Sequence, residues 1–479
     1  MNLHPSRQFL IPALSALLAT HAIAGSPPTI SPKPTDQNPL SFFDGGLVFD
    51  VQERLRVEVR DNTRDFNSAV NDDNDGGWLL NRFRLGVTLK PATWLKVYAQ
   101  GQDAREWFSE RPKIPGVHSA EGDDAFDLRQ GYVELADYKS FPLGLIVGRA
   151  PLLYGDRRLV GDSLWSNLGR TFDQERQRLQ EEQLSVDAFI ARPVQARRGN
   201  FDDSDAADNL AGVYLSTTSI PNQTTEVYAF YRDKSDNQPD LSPVNALDPN
   251  GTGNGPAERL VAIGARVESK PGKFRGWDYN AEFTYENGDV WASDRNSKKS
   301  QLEAFAAHAA GGYTFESSPW KPRLGLEYDY ASGDRNPNDS KSTSFQNLFP
   351  GNHEKYGFMD EFSWRNLHDA RFQFNVKPVH KLDLELDYHA FWLADTRDYW
   401  FRSNGLTAQR TVTPGGRDVR TIGANSFAGH EIDLTLNYEV SASFKVQAGY
   451  SHFFAGAYLR DTGADSDADF GYLMTTIQF

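Results

Sequence analysis

Residues 277–287 read WDYNAEFTYEN. Trp277, Tyr279, Ala281, Phe283 and Tyr285 share one parity; Asp278, Asn280, Glu282, Thr284 and Glu286 share the other. Successive side chains of a strand point to opposite faces, so this stretch is a strand with one apolar and one polar face. The pattern recurs outward in both directions. Leu324, Leu326, Tyr328 and Tyr330 oppose Arg323, Glu327 and Asp329. Leu382, Leu384, Leu386 and Tyr388 oppose Asp383, Glu385, Asp387 and His389, and Ile432, Leu434, Leu436 and Tyr438 oppose Glu431, Asp433, Thr435 and Glu439. Near the start, Leu47, Phe49, Val51, Leu55, Val57 and Val59 oppose Asp50, Gln52, Arg54, Arg56, Glu58 and Arg60; Glu53 breaks the apolar face once.

A soluble sandwich alternates in the same way. Three features favour a membrane barrel. The segments run about 9–15 residues, near the ~9–11 that a tilted membrane strand needs and longer than the ~5–6 usual in sandwiches. Connections alternate between short turns, as at 91–93, 139–141 and 181–183, and long polar loops, as at 151–170, 333–364 and 395–427. The chain ends in Phe479, with Ile477 and Leu473 on its face, which resembles the terminal signal of outer-membrane barrels. The expectation is an all-β, closed, transmembrane antiparallel β-barrel of about eighteen strands, with short periplasmic turns and long extracellular loops. Closure is required because lipid offers no hydrogen bonds to a free strand edge. The least strand-like member is TFDQERQRLQ at 171–180, kept because the count is otherwise odd. Trp78, Trp94, Trp277, Trp320 and Trp392 fall near strand ends, where aromatic girdles would lie.

The chain has 479 residues, 50 basic and 65 acidic, a net charge of −15 and no cysteine. The acidic balance argues against nucleic-acid binding. The absence of cysteine excludes a disulfide scaffold, an iron–sulfur cluster and a thiol nucleophile. Arg7, the apolar run FLIPALSALLAT at 9–20 and Ala22-Ile23-Ala24 form an export signal, so residues 1–24 are expected to be removed. Residues 25–45 read as a Pro-rich leader and 46–479 as the barrel.

The polar face would line the lumen, where arginines favour anions. Arg54, Arg56, Arg82, Arg84, Arg129 and Arg149 are assigned inward, and six arginines lie between 149 and 178. The later strands carry inward acids: Glu282, Glu327, Asp329, Asp383, Glu385, Asp387 and Asp433. Two readings stand: a constriction that grips carboxylates bidentately, or a structural Arg–Glu ladder.

Residues 146–178, IVGRAPLLYGDRRLVGDSLWSNLGRTFDQERQR, resemble the signature of the alginate export porin family. LGLEYDYASG at 324–333, FQNLFPGNHEKYGFMDEFSWRNLHDARFQ at 345–373 and FDLRQGYVEL at 126–135 match it further. The resemblance implies an eighteen-stranded outer-membrane barrel that passes an anionic uronic-acid polysaccharide outward. Arg129 and Arg149 match the family's inward arginines, at the constriction; together with the inward arginines of the strands, the signature leads to the expectation that Arg82, Arg84, Arg157, Arg158, Arg170 and Arg365 extend a basic track and that loops 333–364 and 395–427 fold inward or gate. The expected partners are alginate-like polymer, outer-membrane lipid, lipopolysaccharide and periplasmic export proteins. A general porin for small anionic solutes is the alternative.

Other signals are weaker. Gly161-Asp162-Ser163-Leu164 spells an esterase motif, but mid-chain among period-two segments, so no enzyme is expected. Asp465, Asp467 and Asp469 are spaced like calcium ligands but lack the turn glycine and bidentate Glu of a calcium loop. No cofactor motif is present.

Overall fold

The computed structural model describes residues 38–70, 75–110, 122–198, 200–235, 256–270, 273–292 and 296–479. The expected signal segment and most of the leader lie outside them.

Eighteen long strands follow one another in the chain. They are β1 (Leu47–Asp61), β2 (Gly76–Ala92), β3 (Leu95–Trp107), β4 (Asp124–Leu135), β5 (Leu143–Ala150) and β6 (Phe172–Gln180). Next come β7 (Leu184–Gln195), β8 (Asp208–Thr217), β9 (Gln223–Lys234), β10 (Glu258–Ser269), β11 (Trp277–Trp291) and β12 (Lys299–Thr314). The last are β13 (Arg323–Ala331), β14 (Leu367–Val379), β15 (Leu382–Trp392), β16 (Phe427–Ser441), β17 (Phe444–Ala455) and β18 (Ala468–Gln478). Each pairs antiparallel with the next, and β1 pairs with β18 from Gln52↔Gln478 to Asp61↔Asp469, which closes the barrel. The segment 171–180 is strand β6, so the even count holds.

Alternation sets the two faces. Leu55, Val57 and Val59 are exposed on the outside, while Arg54, Arg56, Glu58 and Arg60 between them are buried inside. Trp94, Trp277 and Trp320 lie exposed at the short-turn end and Trp107 at the long-loop end, as interfacial girdles do. Trp78 departs from that expectation: it is 4% exposed and shares the inward parity of Leu80 and Arg82. Residues 38–45 are not a simple extended leader. Ser41–Phe42 pair with Leu47–Val48, and Asn38 Nδ2 donates to Phe49 O (3.1 Å).

The apolar core lies within the lumen. Phe66, Phe345, Tyr356, Trp364, Trp400 and Tyr458, all from the long loops, are 0–2% exposed. A short helix α1 (Ala457–Thr462) belongs to this filling. Loops can occupy a barrel interior only if their backbone groups find partners there, and the polar face of the wall supplies them. No helix among the described residues is long and apolar enough to cross a membrane.

Candidate functional site

The segment 151–171 turns into the barrel and meets 343–364. Gly161 N donates to Phe349 O (2.8 Å), Phe349 N to Leu159 O (2.8 Å) and Gly351 N to Arg157 O (2.9 Å). The two loops thus form a lumenal ribbon, with a parallel bridge at Val160↔Phe349.

The inward face of β1–β4 is basic, and most of its guanidinium groups reach backbone carbonyls of that ribbon. Arg54 donates to O of Leu164 (3.0 Å), Trp165 (3.1 Å) and Ser166 (3.1 Å). Arg56 donates to Trp165 O (2.6 Å) and lies 3.8 Å over the Trp165 ring. Arg82 donates to Ser166 O (3.2 Å) and Gln52 Oε1 (2.8 Å). Arg84 donates to Gln102 Oε1 (2.7 Å) and Leu168 O (3.4 Å), and Arg129 to Gln100 Oε1 (3.4 Å). Arg84 and Arg129 converge on Gly169. A Cβ there would lie 3.1 Å from Arg129 Nη2 and 3.3 Å from Arg84 Nη2, and its φ is +74°. Among the described residues, Arg82, Arg84 and Arg129 form no ion pair with a carboxylate; their acceptors are neutral oxygens.

The opposite wall, β11–β16, is acidic and holds loop N–H groups and loop cations. Glu286 accepts from Gln346 N (2.8 Å) and Glu431 from Met359 N (2.9 Å). Arg158, 1% exposed, reaches across from the ribbon. It pairs with Glu327 (2.7 Å), Asp329 (3.0 Å) and Asp156 (3.1 Å), and donates to Tyr356 Oη (2.9 Å). Burial opposes its charge, but Asp329, Tyr356, Asp156 and Glu327 outweigh burial and hold its pKa well above the ordinary value. Burial likewise opposes the Asp156 carboxylate, and Arg158 followed by Lys355 overcomes it, so this acid stays below the usual range.

The remaining candidates divide. Arg157 pairs with Glu354 (3.3 Å). Arg170 donates to Gly161 O (3.0 Å) and Pro350 O (2.9 Å), tying the ribbon together; burial lowers its pKa to about 10 against the pull of Asp162. Arg365 donates to Gly405 O (2.9 Å) and lies 3.7 Å over Phe401, and burial lowers its pKa. These three hold loops together.

Arg149 corrects the sequence expectation. It pairs in register with Gly131 and Asp173, on the parity of Leu145 and Val147, so it belongs to the outer face at the long-loop rim. There it binds Asp173 (2.8 Å) and donates to Asp202 O (3.1 Å). Arg129 shares the parity of Val133 and Leu135 and would also face outward under strict alternation. A bulge saves it: Gln100 pairs with Gln130 and Gly101 with Leu128, so Arg129 is the extra residue and turns inward.

A cavity of about 30 Å³, room for roughly one water, lies beside Arg129 and is lined by Asp124, Asp127, Gly169 and Asp202. Carboxylate oxygens of Asp124, Asp127 and Asp202 converge there closely enough to hold a cation, a grouping the sequence did not suggest because Asp202 comes from a segment far from the other two. Burial, then Asp124 and Asp127, raise the Asp202 pKa to about 7. His308, Glu327 and Asp329 also converge, but Arg158 already supplies positive charge there. The predicted calcium candidates do not form such a group: Asp469 binds His452 (2.8 Å) and Tyr450, and Asp467 accepts from Ala455 N (2.8 Å). Ser163 of the esterase-like motif lies in the ribbon at φ +49°, with no helix following it.

The alginate export family model matches residues 46–472. No curated protein matches the sequence. Several Pseudomonas aeruginosa outer-membrane structures share the fold. OpdL has a TM-score of 0.56 at 13% identity, covering 90% of this chain and 98% of its own. OccD3 (OpdP) has a TM-score of 0.55 at 11% identity, covering 91% of each chain.

Proposed function

The chain belongs to the alginate export family, and from that premise we propose that it gives an anionic uronic-acid polysaccharide, such as alginate, passive and anion-selective passage through an arginine-lined lumen. The family and the barrel make it an outer-membrane channel rather than an enzyme. The observation that carries the finer reading is the group Arg82, Arg84 and Arg129, whose hydrogen-bond acceptors are neutral oxygens and which form no direct ion pair among the described residues. Clustered positive charge inside low-dielectric walls focuses a positive potential along the pore. These groups are 4–8% exposed. They therefore act on a passing carboxylate mainly through the field, with weak and repeated attraction that lets a polymer enter and leave. Periplasmic export proteins would deliver the polymer, and lipid and lipopolysaccharide would surround the barrel.

The ribbon that fills part of the lumen favours a second reading, passage of small anions. The similarly folded OpdK has been crystallised with vanillate, a small aromatic carboxylate.

Single-channel recording in planar bilayers separates the two. Polymer export predicts an anion-selective reversal potential, reduced in Arg84→Ala and Arg129→Ala, and block by oligouronates. Anion selectivity without oligouronate block supports the small-solute reading. Cation selectivity overturns both.

A further inference from the structure

The inward face of β3 and β4 carries a ladder that runs from the short-turn mouth to the arginines. Its rungs in register are Lys96↔Glu134, Tyr98↔Tyr132 and Gln100↔Gln130, and above them stands Gln102, which accepts from Arg84. Inward residues of one strand recur about every 7 Å, so the tyrosine rung lies about 13 Å below the level of Gln102. Tyr98 and Tyr132 differ from the other aromatic residues that point inward from the described strands. Trp78, Phe189, Tyr214, Phe391 and Tyr472 are buried. Tyr98 and Tyr132 are half-buried, so part of each ring faces the lumen. The two rings lie 5.4 Å apart with a 49° tilt between their planes. Both are held from behind. Tyr98 Oη donates to the Asp50 carboxylate, 3.1 Å from each oxygen. Gly86 lies between Asp50 and Gln100 in register and leaves room for that carboxylate, which a Cβ there would strike. Lys96 Nζ lies 3.1 Å from Glu134 and 5.2 Å from the Tyr132 ring centroid.

We propose that Tyr98 and Tyr132 form a stacking subsite that takes a pyranose ring of the polymer at the short-turn mouth, before its carboxylates come under Arg82, Arg84 and Arg129. The subsite rests on the polymer reading given above and adds to it a contact with the sugar ring itself. A pyranose presents faces of C–H bonds with slight positive charge, and the face of an aromatic ring is negative. Lys96 is answered by Glu134, so the rung selects by shape and stacking more than by charge. The two groups of side chains then divide the work. The arginines are 4–8% exposed and act through their field, which governs how often a polyanion arrives. The tyrosines can be touched, and contact governs how long it stays. A small anion without a pyranose face gains only from the first.

The test is the duration of blocking events caused by oligouronates in single-channel recordings of the mature chain, with heat-modifiable migration verifying that each variant is folded. Tyr132→Ala should shorten the events about two- to tenfold, the weight of one aromatic contact. Tyr132→Phe keeps the ring and should keep the parent duration. Tyr388→Ala, which removes an aromatic ring from the outer face of β15, should also keep it. The reversal potential of Tyr132→Ala in chloride should match the parent, because no charge is removed. Unchanged event duration in Tyr132→Ala overturns the subsite and leaves the polymer reading standing. Equal shortening in Tyr132→Phe or in Tyr388→Ala, or a shifted reversal potential in Tyr132→Ala, also overturns it, since the ring face would then not be the contact. A parent chain that no oligouronate blocks overturns the subsite and the polymer reading together.

Discussion

The basic wall of β1–β4 and the acidic wall of β11–β16 face each other across the lumen and hold the same inward loops by opposite ends of the peptide unit. Arginines take the carbonyls of Leu164–Leu168; glutamates take the N–H groups of Gln346 and Met359. Neither wall chiefly neutralises the other. A carbonyl satisfies a guanidinium group without cancelling its charge, so the basic wall stays electrostatically active. The acidic wall receives cations at some of its acids, such as Arg158 on Glu327 and Asp329 and Arg371 on Asp387, while Glu286 and Glu431 hold neutral N–H groups.

The largest expected effect lies on the acidic wall. Arg158→Met leaves several buried acids without their cation and should cost about 3–5 kcal/mol, read as a lowered unfolding midpoint in detergent. An unchanged midpoint would mean that the acidic wall does not depend on received charge. Arg54→Met, on the basic wall, removes donors from carbonyls that retain partial alternatives. It should cost less, about 1–3 kcal/mol. A loss equal to that of Arg158→Met would erase the distinction between the walls.

Gly169→Ala sharpens the electrostatic side. A Cβ in the left-handed region costs about 1–2 kcal/mol, and here it also crowds Arg84 and Arg129. Anion preference in bilayers should fall with only modest destabilisation; an unchanged reversal potential would remove these two guanidinium groups from the account. A pH effect lies at the rim of the basic wall. With its folded pKa raised to about 7, Asp202 binds a proton in the fold that it has lost in the unfolded chain. Stability then falls as pH rises from the ordinary aspartate range to about 7 and is flat above. Amide exchange at residues 200–205, corrected for intrinsic rate, should be slower at pH 5 than at pH 8, and Asp202→Asn should abolish the difference. No pH dependence would contradict the burial of this acid.

Period two, with segment length and the alternation of short turns and long loops, determined the strands and the closed barrel, because a strand that borders lipid on one side and water on the other must alternate. WDYNAEFTYEN obeyed it, and the highly charged TFDQERQRLQ, which shows no such alternation, was a strand as the even count required. Which arginines enter the lumen was decided by tertiary structure. Arg129 and Arg149 both carry an outward parity; one bulge in the β3–β4 ladder turns Arg129 inward, while the unbroken β4–β5 register leaves Arg149 outside. Gly169, at φ +74° beside Arg170, is where the loop approaches the wall closely. The partners themselves are carbonyls and N–H groups, which every residue owns. No sequence pattern distinguishes those that fold against an arginine from those that meet water; only the path of the inward loops does.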